Sequence, residues 1–174
     1  MLDLAVVAAA LGAALLLAAG GVGHLRNRPA LTAALDAHLL PRPLRAWLAI
    51  LLGPAEVLVG AATWVTWLAA PVYAAPAVAL LDASYCALGL YTTVLRIRVP
   101  TAPCGCFGTP RPVTWLVVGR GWLFAGVAGA AVPVLWTPPD LSFGTRLFLL
   151  LPAVLVVAVG GLLSTEVFGV TQPI

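Results

Sequence analysis

Lysine is absent from this 174-residue sequence, and charged side chains of either sign make up only 9% of it. A soluble globular domain typically carries about 25% charged residues, so a water-soluble enzyme is excluded as a class. The nine basic residues are all arginine and are scattered over several connections, so the electrostatic footprint of a nucleic-acid-binding surface is missing. Cysteine is scarce as well. Cys86, Cys104 and Cys106 are too few and too unevenly placed for a secreted disulfide framework, and any thiol chemistry has to be local. No cofactor motif occurs, so no cofactor is evident and quinone use is not legible from the chain.

What is abundant is apolar: 62% of the residues are hydrophobic, with a mean hydropathy of +1.07. A helix crossing about 30 Å of hydrocarbon needs roughly 20 such residues at 1.5 Å each. Five stretches qualify, near 2–23, 46–70, 75–95, 113–136 and 146–168. The expected fold is therefore an all-α integral membrane protein, a four-helix transmembrane bundle with a fifth transmembrane helix, forming one polytopic domain over 1–174. The first stretch begins Met-Leu-Asp without a positive charge, which reads as a retained anchor and not as a cleaved leader. Pro152 and Gly160-Gly161 interrupt the fifth stretch and Glu166 limits its far end. Between the first two spans, Pro29 opens a short interfacial helix.

With five crossings, the connections 24–45 and 96–112 share one face of the membrane. That face carries Arg26, Arg28, Arg42, Arg45, Arg96, Arg98 and Arg111, against Arg146 on the other. The positive-inside rule then puts both connections in the cytoplasm of an inner-membrane protein, with the N-terminus outside and the C-terminus inside. Indole rings favour the headgroup level. Trp47 and Trp115 accordingly mark the arginine face, and Trp64, Trp67 and Trp136 the opposite one; Trp122 is left mid-span, facing the bundle or the lipid.

The residues with chemistry are few. Cys104-Gly105-Cys106 lies in a proline-rich connection, where glycine permits the backbone angles of a very small disulfide ring. Strain in such a ring raises its reduction potential, which suits exchange better than stapling. Metal binding and an unreactive turn are the alternatives, and His24 and His38 share that face, which makes a two-cysteine, two-histidine metal site conceivable; both histidines read equally as polar caps. Counted along their helices, Glu56 lies about 16 Å from Arg45, Arg120 about 13 Å from Arg111, and Cys86 about 15 Å from Arg96. These depths predict a Glu56–Arg120 pair between the second and fourth spans, with Cys86 in the same layer and Asp82 and Tyr85 beside it. The pair serves either packing or proton movement and ligand capture, and Cys86 serves either as a small hydrophobe or as a third thiol relaying electrons.

The segment from His24-Leu25-Arg26 through Leu52-Gly53-Pro54-Ala55-Glu56 resembles the first half of the DoxX-like and MauE-like membrane proteins. Cys104-Gly105-Cys106-Phe107-Gly108, Pro112-Val113-Thr114-Trp115 and Arg120 resemble the second half of the MauE family in particular, and the likeness covers about residues 20–125. It implies a membrane thiol-disulfide exchange protein that works beside a thioredoxin-fold partner, with methylamine dehydrogenase maturation as one setting. Cys104 and Cys106 would be the redox pair, and Glu56 and Arg120 the intramembrane polar positions. This family role implies thiol work outside the cytoplasm, opposite to the arginine count. His24 stands where a lysine is common in such proteins, and Gly121 follows Arg120 in place of an asparagine. The alternatives from other classes are a non-enzymatic assembly or scaffold subunit, and a metal-binding membrane protein.

Overall fold

In hydrocarbon every backbone N–H and C=O must find its partner inside the protein, which leaves helices as the means for these apolar runs to cross. The computed structural model of the chain describes residues 2–38, 40–103, 112–137, 141–149 and 151–155. Four of its helices are long and apolar enough to span a membrane: α1 (Leu2–Arg26), α3 (Arg42–Ala69), α4 (Ala74–Arg98) and α5 (Trp115–Trp136). Each coincides with one of the first four expected spans to within a few residues at either end. A short α2 (Arg28–Asp36) joins α1 to α3, and α6 (Phe143–Phe148) follows α5. Of the fifth expected span, only Arg146–Leu149 and 151–155 fall among the described residues; Gly160, Gly161 and Glu166 lie outside them.

Local signals set the helix ends. Asn27 caps α2 by accepting from the backbone N–H of Ala30 at 3.3 Å, with Pro29 in the first turn where its missing N–H costs nothing. Thr114 caps α5 through the N–H of Val117 at 3.4 Å. A 3-10 turn, Pro71–Tyr73, reverses the chain between α3 and α4. Pro54 and Pro133 sit inside α3 and α5, each leaving one carbonyl without its usual donor, which membrane helices tolerate.

The four long helices close a ring in which α1 packs against α3 and α5, and α4 packs against the same two. Lipid gives helices little hydrophobic reason to associate, so close packing of small residues has to hold them. At the α1–α3 seam a Cβ on Gly60 would lie 2.5 Å from the Ala14 carbonyl oxygen, and one on Gly21 2.6 Å from that of Gly53. Glycine is there because only a hydrogen fits. At the α4–α5 seam the Trp122 indole covers Gly89, and Gly121 meets the Gly89 backbone. A Cβ on Gly121 would stand 3.2 Å from the Gly89 Cα, a tight contact that glycine avoids.

Trp64 and Trp67 lie toward the predicted end of the bundle and face inward, at 9% and 2% exposure. Each indole N–H finds a carbonyl, Trp64 on Leu11 at 3.1 Å and Trp67 on Arg146 at 3.4 Å, so inward burial leaves neither unsatisfied. Trp47, Trp115 and Trp136 are exposed, as rim residues should be. Trp122 is half exposed and donates to the Thr93 hydroxyl at 3.1 Å.

Candidate functional site

A cavity of about 120 Å³ opens inside the ring, at the end where α1 meets α2 and α4 meets the connection to α5. All five of the first helices contribute to its wall. Leu16, Leu17 and Gly20 come from α1, Leu52 and Glu56 from α3, Leu88 from α4 and Phe124 from α5. The amphipathic α2 closes this end with Leu31, Ala34 and Leu35, spaced so that all three fall on one helix face. An Asp36–Arg45 ion pair of 2.8 Å clips α2 to the start of α3.

The polar groups on this wall come from four helices and one connection. Glu56, with its side chain 10% exposed, stands 3.6 Å from the Nε2 of His24, itself 6% exposed. His24 stands against Glu56 because the α1–α3 seam is close enough at Gly21 and Gly53 to bring the last turns of α1 over Glu56. Arg120 lines the same cavity from α5, and Glu56 and Arg120 both lie within electrostatic range of the Tyr85 hydroxyl. That hydroxyl donates to the Ala13 carbonyl at 2.7 Å. The Oε2 of Glu56 has no hydrogen-bond partner.

Asp82 and Cys86 do not line this cavity. The Cys86 thiol lies 3.5 Å from Asp82 Oδ1, and the Asp82 carboxylate faces α5 at Gly129. One step along a helix turns the side chain by about 100°, so Tyr85 looks inward while Cys86 looks along the α4–α5 seam. Cys86 is a free, half-buried thiol.

His38 connects the cavity to the cysteine-bearing connection. Its Nδ1 is hydrogen-bonded to the Tyr91 hydroxyl and its Nε2 meets the Pro103 carbonyl at 3.0 Å. Cys104 follows Pro103 directly in the chain. Pro103 in turn pairs with Pro112 in an isolated antiparallel bridge, and the Val113 N–H donates to the Ala102 carbonyl at 3.0 Å. The two ends of the segment carrying Cys104 and Cys106 are thus held side by side, with Val113 and Leu95 at the cavity wall. Cys104, Cys106 and Arg111 themselves lie outside the described residues.

Both ring nitrogens of His38 are thus engaged within the protein. Among the described residues no group of three His, Cys, Asp or Glu side chains is arranged to hold a metal ion. Sequence reasoning missed Tyr91. It stands on the stripe of α4 that includes Leu88 and Leu95, three and four residues away, a spacing that places all of them on one helix face.

No curated protein and no solved structure gave a significant match to the chain. The family profile described as methylamine utilisation protein MauE matches residues 2–137. That match takes in the four long helices, α2 and both anchored ends of the cysteine-bearing connection, and on it the chain belongs to the MauE family.

Proposed function

We propose that this chain is a membrane accessory protein of methylamine utilisation that exchanges disulfides through Cys104 and Cys106 with a thioredoxin-fold partner. The observation that carries the reading is the clamp on the cysteine-bearing segment: His38 on the Pro103 carbonyl, and Pro103 bridged to Pro112. An exchanging pair needs thiolates that are reachable yet held in place. The clamp fixes Pro103 and Pro112, the residues on either side of the segment that carries both cysteines.

The chemistry closes on itself. A partner thiolate attacks the Cys104–Cys106 disulfide, the S–S bond breaks and a mixed disulfide forms. The partner's second thiolate then resolves it, leaving the partner oxidised by two electrons and the loop pair as a dithiol; the reverse sequence reduces the partner. Glu56 and Arg120 serve the cavity behind the loop. By the arginine bias, the loop works at the cytoplasmic face of the inner membrane.

Trapping tests this directly. Cys104→Ser and Cys106→Ser, expressed singly, are expected to accumulate a reductant-sensitive mixed disulfide that the double variant lacks. Alkylation masses of the unmodified protein should differ before and after reduction. If both thiols alkylate fully without reductant under every oxidant offered, the reading fails. Cys86→Ser separates the roles of the third thiol, since a relay loses turnover and a packing residue does not.

A further inference from the structure

An arginine keeps its proton throughout the physiological range, whereas a histidine exchanges one near neutrality. Glu56 against His24 is therefore a pair in which both members titrate. Together they carry one proton in either of two neutral arrangements, imidazolium beside carboxylate or imidazole beside carboxylic acid. A second proton makes the pair a cation, and loss of the first makes it an anion. The geometry leaves the pair open. The Asp36–Arg45 pair closes to 2.8 Å, the length of a charge-assisted hydrogen bond, but the more deeply buried His24–Glu56 pair stops at 3.6 Å, beyond hydrogen-bond reach. Two buried charges that do not close on each other recover little of what their desolvation costs.

Beside the gap lies the cavity, and both side chains line it. Its volume of about 120 Å³ is several times the roughly 10–15 Å³ that admits one water, and waters settle where about two to four polar groups converge. Such groups run from the arginine-rich end of the bundle to the pair. We propose that His24 and Glu56 form a proton-binding site that fills and empties through water in this cavity, from the arginine-rich end. The proton belongs to the pair as a unit, and so does its titration. The groups that face the site are Tyr85 and Tyr91 from α4, Arg120 from α5 and His38 from the connection between α2 and α3. Arg120 adds a fixed positive charge, and among the described residues Glu56 is the one carboxylate on the cavity wall. The site stands independently of thiol exchange.

The experiment follows the full chain in lipid nanodiscs through a pH titration, by infrared difference spectra of the carboxyl band and by nitrogen NMR of isotope-labelled histidine. Glutamate occurs only as Glu56 and Glu166, so labelled glutamate in a Glu166→Gln chain isolates the Glu56 band. Histidine occurs twice, and His38→Phe identifies which ring is His24. The Glu56 carboxyl and the His24 ring are expected to change together, at shared midpoints. His24→Gln should move the carboxyl midpoint by about tenfold in proton concentration. Access is tested from α2, outside the spans. Ala34→Phe narrows the loop end of the cavity and should slow exchange of the carboxyl proton for deuterium without moving the midpoint; Leu35→Ala widens that end and should speed it. The shared midpoints are read with His24 and Glu56 both in place, so they decide even where His24→Gln fails to fold. A Glu56 carboxylate ionised at every pH, a ring and a carboxyl that titrate independently, or deuterium exchange indifferent to both α2 variants overturns the proposal.

Discussion

Glu56 and His24 form a pair that neither residue can leave without consequence. Removing one partner of a buried pair strands the other and typically costs about 3 kcal/mol, whereas replacing both with apolar side chains is often neutral. His24→Leu alone should therefore lower the unfolding midpoint of the detergent-solubilised protein markedly, and His24→Leu/Glu56→Leu should recover most of that loss. A double variant no more stable than the single one would separate the two residues. His38 acts elsewhere, on the loop. His38→Phe keeps a ring but removes both hydrogen bonds, to Tyr91 and to the Pro103 carbonyl. It should slow exchange at the cysteine pair about tenfold while leaving helix content intact, read by thiol alkylation kinetics and circular dichroism. The sequence marked Glu56, His24 and Arg120 as conspicuous because charge and polarity are rare at such depth. It did not bring His24 to Glu56, since helical depth counts only height along the membrane normal and says nothing about which helix stands next to which.

The α1–α3 seam depends on glycine. A side chain at Gly60 meets the Ala14 carbonyl oxygen at 2.5 Å and Ala18 at 2.8 Å, so the helices have to separate to admit it. Overpacking of this kind costs about 1–3 kcal/mol. Gly60→Leu should accordingly destabilise the bundle by that order in thermal unfolding, while the same change at Gly119, whose Cβ meets nothing within 4 Å, should leave stability nearly unchanged. Four helices of the right length were legible from apolar runs, because bilayer thickness fixes how many residues a span needs. The short α2 was legible from Pro29. Its role was not: that Leu31, Ala34 and Leu35 close a cavity follows from where the turn at Asn27 and the Asp36–Arg45 pair direct the helix. The inward turn of Trp64 and Trp67 was likewise hidden, since an indole suits a headgroup and a bundle interior with a spare carbonyl equally well.

For the molecule as a whole, orientation is the property that charge predicts and labelling measures. The contact of His38 with Pro103 puts α2 and the α4–α5 connection at one end of the bundle, together with Arg26, Arg28, Arg42, Arg45, Arg96 and Arg98. If that end is cytoplasmic, a membrane-impermeant maleimide should leave Cys104 and Cys106 unmodified in intact cells and label them in inverted vesicles; labelling in intact cells would invert the assignment. The amino-acid sequence by itself determined the class of this protein, its four long helices and the small set of residues able to do chemistry, because hydrocarbon imposes length and apolarity on each segment separately. Which of those residues meet was decided by tertiary structure alone. Glu56 beside His24, Arg120 across the same chamber and His38 reaching the carbonyl before Cys104 all depend on the lateral order and rotation of helices. Those are set by the close fit of small residues between helices, an interaction that exists only once the helices are side by side.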